Sequence, residues 1–281
     1  MTERLRQGPG EAARDEAAPT KDGPTPNRWT LRTIRASFDF LADYTLSGVF
    51  RFLKRQLKVT LRSARVQQYS PDPDYLLKRD YLLSCLHQVR NDPHRFVAVF
   101  LDETGFARWP DPASDWMPAP PEPPRDADRQ KSKNGLWRLI GALNAWSGRV
   151  SFLDAYIVGR QKVLEMYDVL NRQYRRAERI YVIQDNWSIH RHDDVLNALP
   201  QWPRIEPVWL PTYAPWLNPI EKLWRWLKQD VLKLHRNAHS WPELKAQVRS
   251  FLGQFQSGSQ KLLDYVGLRG EGRLATALQD P

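Results

Sequence analysis

The stretch FVAVFLDETGF (Phe96–Phe106) decides the reading of this chain. It opens on an unbroken apolar run, the pattern of a strand buried on both faces of a sheet. The acidic pair Asp102 and Glu103 closes that run. A second stretch, RIYVIQDNWSIH (Arg179–His190), follows the same plan and brings its apolar run to an end on Asp185. Ligands collect at the carboxyl ends of strands in open parallel sheets, so a carboxylate placed there can leave the core and meet solvent or a cation. Side chains alternate between faces along a strand, which sends Asp102 and Glu103 to opposite sides. Only one of them can enter a given site, and Asp102 is the expected one. Asp185 also suits a helix N-cap, and Asn186 beside it is a further possible ligand or orienting group.

Working outward, residues 95–256 alternate in type. Strands are expected at Trp137–Trp146 and Val150–Val158, with Ser147 and Gly148 as the hairpin signal between them. A helix is expected over Gln161–Ala177, the strand Ile180–Asp185 next, then a helix over 188–199 and a strand over Ile205–Leu210. Helices over Pro219–His235 and Ser240–Phe255 complete the series. The order implies an α/β domain whose mixed sheet begins antiparallel and continues parallel, flanked by helices. The Pro-rich segment 108–134 is too long for a passive turn. Residues 257–281 are expected to form a loose tail.

The string LPTYAPWLNPIEKLWRWLK (Leu210–Lys228) supplies a third acid, Glu221. Its plainest reading is local: Asn218 as N-cap, Pro219 at the first helical position and Glu221 at the third make a capping box. The helix then repeats at i, i+3, i+4 and i+7, so that Glu221, Trp224 or Arg225, and Lys228 share a face. A cation beside a carboxylate suits phosphate binding. Two carboxylates at strand ends and one on a helix can hold a pair of divalent cations, an arrangement that cuts and joins nucleic-acid backbones. His190 reads either as a satisfied surface or packing histidine or as a contact to DNA or the scissile phosphate. Trp187, Trp216 and Trp224 lie near the acids in sequence and are candidates for stacking on bases.

The formal net charge is +10, which favours a polyanionic partner. Much of the excess lies in residues 28–70, where nine basic residues face only Asp39 and Asp43, a net +7. There, Thr30–Tyr44 and Thr45–Leu57 carry apolar residues at helical spacing, with Ser47 as a candidate cap for the second helix. Two short amphipathic helices joined by a turn read as a helix-turn-helix. Arg51, Lys54, Arg55, Lys58 and Arg62 are its expected DNA contacts, with the second helix in the major groove. Residues 1–27 have almost no large apolar side chains and are expected to be disordered, and SPDPDY (Ser70–Tyr75) breaks the chain before a linker helix in 71–94. The single cysteine, Cys85, excludes an intrachain disulfide framework. No apolar run reaches the roughly 18 residues of a membrane span, and the N-terminal segment lacks the apolar core of a signal peptide.

The strings VFLDETGF, VIQDNWSIH and LPTYAPWLNPIEKLWRWLK resemble the DDE transposases of bacterial insertion sequences in the mariner superfamily, over roughly residues 28–255. The resemblance implies a ribonuclease-H-like catalytic domain, with Asp102, Asp185 and Glu221 as catalytic acids. The 35 residues between Asp185 and Glu221 suit that family's short second spacing. It implies two Mg²⁺ or Mn²⁺ ions, one activating water and later a 3′-hydroxyl, the other stabilising the leaving oxygen. It also implies double-stranded DNA as partner, insertion at TA, a homodimer across paired ends, and a cytoplasmic, nucleoid-associated protein. Members of the family carry two helix-turn-helix units and one is visible here. The alternative is therefore a truncated, non-catalytic DNA-binding remnant or regulator of an intact transposase. A related nuclease without a joining step is a third reading.

Overall fold

A computed structural model describes residues 1–6, 28–62, 69–118, 121, 123–127 and 133–278. Most of the segment expected to be disordered, and part of the Pro-rich segment, lie outside the described residues. The chain divides into two compact units, Met1–Gln67 and Gln68–Pro281. No helix among the described residues is long and apolar enough to cross a membrane.

The smaller unit contains α1 (Thr2–Arg6), α2 (Leu31–Ser37), a 3-10 turn (Asp39–Leu41) and α3 (Leu46–Arg55). Its core is Ile34, Leu41, Val49 and Leu53. The first expected helix is shorter than its apolar spacing suggests. Phe38 adopts an extended backbone and ends α2, and its ring packs against Trp29 and Phe40. The cap of α3 is Thr45, whose hydroxyl accepts from the Gly48 backbone N–H at 3.1 Å. Ser47, the expected cap, lies inside the helix. Arg51, Lys54, Arg55, Lys58 and Arg62 are all exposed.

The larger unit opens with α4 (Tyr75–Asn91) and is built on a five-stranded sheet. The strands are β1 (Phe96–Ala107), β2 (Leu136–Asn144), β3 (Val150–Ala155), β4 (Arg179–Gln184) and β5 (Ile205–Trp209), in spatial order β3-β2-β1-β4-β5. The β1–β2 and β2–β3 pairs are antiparallel, the β1–β4 and β4–β5 pairs parallel. This is the mixed sheet, antiparallel at its start and parallel after, that the strand order implies, flanked by helices as in the ribonuclease-H-like domain that the resemblance implies. Between strands run α5 (Arg160–Gln173) and α6 (Asp193–Ala198), followed by α7 (Ile220–Leu227), a π-helical turn (Lys228–Leu232) and α8 (Trp241–Gly253).

Alternation along β1 splits the core in two. Ala98 and Phe100 pack in one cluster with residues of α4, α7 and α8. Val97, Val99 and Leu101 pack in the other with residues of α5 and α6.

Two expectations change. Asp102 does not end its strand: β1 continues to Ala107 because β2 pairs with it through Ala107↔Leu136. The C-terminal segment is not a loose tail either. It holds α9 (Gln260–Val266) and α10 (Arg273–Ala277), and Leu262, Leu263, Val266, Leu268 and Leu274 join the core. Ser259 caps α9 by accepting from the Leu262 N–H at 3.1 Å, and Gly267 closes it in the left-handed conformation at φ 84°, which glycine adopts without steric cost.

Candidate active site

The site lies where β1 outruns β4. Parallel pairing between the two ends at Phe100↔Ile183, so Asp102 and Asp185 each sit two residues beyond the last pair, side by side in register. Phe100 and Ile183 belong to the same core cluster, and alternation returns both aspartates to that face. Helix α7 covers this face through Ile220, Leu223, Trp224 and Leu227, and Glu221 lies one position past Ile220. Asp102, Asp185 and Glu221 therefore line one cleft of about 470 Å³, together with Asn186, Trp187, Asn218 and the loop from Leu210 to Pro215.

Asp102 is the buried member, at 9% exposure. Its Oδ2 accepts a hydrogen bond from Trp224 Nε1 at 2.9 Å. The indole reaches it across Gly141, the cross-strand partner of Asp102. A Cβ at Gly141 would fall 2.5 Å from Trp224 Cη2, so only glycine leaves room for this packing. Trp224 is 2% exposed and so supports the site from within, in place of the base-stacking role expected for it. Burial, reinforced by the charges of Glu221, Glu103 and Asp185, pushes the Asp102 carboxyl up to about 8.

Asp185 and Glu221 are exposed. Asp185 does not cap the next helix, since His192 takes that place by accepting from the Asp194 N–H. Instead its Oδ1 accepts from the Trp187 backbone N–H at 3.0 Å and from His190 Nδ1 at 3.1 Å. Burial raises the Asp185 carboxyl, but these hydrogen bonds outweigh it and hold the group below the ordinary carboxylate range. His190 is fully buried, and its Nε2 meets Glu103 Oε1 at 2.9 Å. The imidazole is therefore a packed group held between two carboxylates, as the packing reading expects. Burial opposes its charge, yet the two carboxylates prevail and push it up to about 10. Burial also raises Glu221, and the nearby charges of Lys228 and Arg225 offset part of that rise.

The expected capping box is absent. Pro219 is the N-cap residue of α7 and no side chain caps the helix. Asn218 is 4% exposed, and its Oδ1 has no hydrogen-bond partner. Asn186 donates from Nδ2 to the Leu210 carbonyl at 2.7 Å, while its Oδ1 is also unpartnered. Both residues line the cleft, and each has a buried amide oxygen left without a hydrogen-bond partner. Trp187 is 38% exposed at the rim, whereas Trp216 is half-buried and donates to the Tyr75 hydroxyl at 3.2 Å.

Sequence reasoning overlooked Asp72, in the segment read only as a chain break. Its Oδ2 accepts from the Thr212 backbone N–H at 2.7 Å and from Lys78 Nζ at 2.7 Å. Ser70 Oγ donates to the Thr212 carbonyl. This clasp fixes the loop that walls the cleft. The only signal was the tight turn itself, which does not reveal a partner 140 residues away.

The DDE superfamily endonuclease family matches residues 97–245, more than half of the chain, from β1 into α8. The chain belongs to the DDE superfamily of endonucleases. The "Insertion element IS630 uncharacterized 39 kDa protein" of Shigella sonnei is 31% identical over 120 residues, which are 43% of this chain and 35% of that protein. The match thus spans about a third of that relative's length. Among solved structures, this DDE endonuclease is similar to the Mos1 mariner paired end complex with Mn, with a TM-score of 0.58 and 17% identity over 99% of this chain and 84% of that one. It is also similar to the Mos1 transposase paired-end complex with left transposon end, with a TM-score of 0.57 and 16% identity over 94% and 81%. At such identities the likeness is one of fold.

Proposed function

We propose that this DDE endonuclease is the transposase of an insertion sequence, cutting double-stranded DNA at the element's ends and joining those ends to a target. The observation that carries the reading is the register that sets Asp102 beside Asp185, with Glu221 facing them from α7 in one cleft. Among the described residues, no three His, Cys, Asp or Glu side chains converge tightly enough to chelate a single ion. The acids are spread around the cleft instead. The donor set still fits divalent cations. It consists of carboxylate oxygens and two unpartnered amide oxygens, the hard ligands that Mg²⁺ and Mn²⁺ take. Asp102, raised first by burial and then by its acidic neighbours, ionises readily only when a positive charge reaches it. Asp102, Asp185 and Glu221 would hold two Mg²⁺ or Mn²⁺ ions, which supply nucleophile activation and leaving-group stabilisation when bound.

The chain's own groups do the rest. Trp224 and His190 orient Asp102 and Asp185. Arg225 on the helix that carries Glu221, and Lys228 at the start of the π-helical turn that continues it, are exposed and place positive charge where a DNA phosphate would lie. In the smaller unit, Arg51, Lys54, Arg55, Lys58 and Arg62 form the exposed basic surface for the duplex. A homodimer acting across paired ends and insertion at TA complete the reading.

The test is incubation of the purified protein with Mg²⁺ or Mn²⁺ and a labelled duplex bearing its element's ends. Metal-dependent nicks and joined products are expected, lost in Asp185→Ala with duplex binding retained. Binding without cleavage in either metal would replace the enzyme with a DNA-binding remnant. The double substitution Arg51→Ala with Arg55→Ala is expected to lower the salt slope of duplex binding by about 1–2, since each lost phosphate contact removes roughly 0.9. An unchanged slope would take this helix out of the interface.

A further inference from the structure

We infer that Glu103 and His190 form a positioning relay that fixes the orientation of Asp185 in the cleft. The inference rests on Asp185 being a metal ligand, as proposed above. Glu103 follows Asp102 on β1 and projects to the opposite face of the sheet, the side of Leu101 and α5. It cannot reach the cleft directly. Instead its Oε1 lies 2.9 Å from His190 Nε2, and His190 Nδ1 lies 3.1 Å from Asp185 Oδ1. The imidazole bridges the two faces just beyond the strand ends.

Three observations give the bridge a directional role. His190 has no exposed surface and Glu103 is 16% exposed, whereas Asp185 is 53% exposed. The relay thus runs from a buried anchor to an exposed carboxylate. The Trp187 ring meets the imidazole edge-on at 5.6 Å between centroids, which closes the outer side. Finally, His190 and the Trp187 backbone N–H both engage Oδ1, which leaves Oδ2 for the cleft. An exposed aspartate otherwise samples several rotamers. Held at one oxygen by two donors, it presents the other in a single direction. Outer partners of this kind orient ligating side chains, and their loss commonly costs 10–100-fold in metal affinity.

The experiment is calorimetric titration of Mn²⁺ into the metal-free full chain, without DNA. Glu103→Gln keeps the shape of the side chain and removes its charge. It is expected to weaken Mn²⁺ binding about 10-fold or more while leaving duplex binding intact. His190→Gln is expected to do the same, and the double variant to be no weaker than the weaker single one, because both act through one chain of contacts. Wild-type Mn²⁺ affinity in Glu103→Gln, or losses that multiply in the double variant, would overturn the relay. Asp185→Asn separates the two readings. If it loses Mn²⁺ while Glu103→Gln does not, the relay fails and the metal site stands. If it binds as wild type does, the metal site is misplaced and the relay falls with it. Should His190→Gln fail to fold, Glu103→Gln carries the test alone.

Discussion

The Asp102→Asn variant is expected to lose metal-dependent cleavage by at least about 10³-fold and yet to be more stable than wild type in metal-free buffer above pH 8. The two effects share a cause. Burial first, then Glu221, Glu103 and Asp185, hold the Asp102 pKa at about 8, against an ordinary value near 3.8. Below pH 4 both folded and unfolded chains carry the proton and the group contributes nothing to the difference. As the pH rises from about 4 to 8 the unfolded chain releases the proton while the folded chain keeps it, so folding loses stability. Above 8 the full penalty is present, on the order of a few kcal/mol. Asparagine keeps an oxygen to accept from Trp224 and has no charge to bury. Thermal melts across this pH range should therefore diverge in the variant's favour. Added Mn²⁺ should reverse the order by stabilising only the wild type. Parallel melting curves at every pH would show that Asp102 is ionised at no cost and that the cleft has no need of a cation.

The second large effect is expected at Gly141. An alanine there would drive its methyl group into the Trp224 indole, since the Cβ position lies 2.5 Å from Cη2 and 2.8 Å from Cζ2. The indole is 2% exposed and packed in the main core, so it cannot swing outward. Gly141→Ala is expected to cost about 1–3 kcal/mol through overpacking and Trp224→Ala about 3–5 kcal/mol through the cavity. Trp224→Phe isolates the hydrogen bond from the packing. It should cost less stability than Trp224→Ala while still impairing cleavage, because Asp102 loses the donor that aims it. Full activity in Trp224→Phe would show that packing alone matters. Denaturant unfolding and the cleavage assay on the same preparations distinguish the cases.

How far the sequence anticipates this structure depends on the range of the interaction. Apolar runs expose strands β1 and β4 because both are buried on two faces, and each run leads directly to an aspartate in the cleft. The end of β1 is not legible in the sequence because Glu103, Thr104 and Gly105 lack apolar character, although β2 still pairs with them. The C-terminal helices are hidden in the sequence because Gly258, Gly267, Gly270 and Gly272 punctuate short apolar segments. Those segments are helical only once their leucines reach a core built by distant residues. Asn218 suits an N-cap by type, but here the N-cap position falls to Pro219. The pairing of Glu103 with His190 spans 87 residues and follows no periodicity. Nor does the sequence distinguish Trp224 from an ordinary core aromatic, because its task is set by a glycine on a neighbouring strand.

The indole beside Asp102 is a neutral donor. An arginine or lysine in its place would also aim the carboxylate, but it would cancel the negative charge and satisfy the group internally. Tryptophan separates direction from compensation. It points the carboxylate without neutralising it, so relief comes from outside, as a proton below about pH 8 or as a cation entering the open cleft. The fold thus keeps an electrostatic debt at a fixed address, and the strength of cation binding there is set by what the protein declines to neutralise.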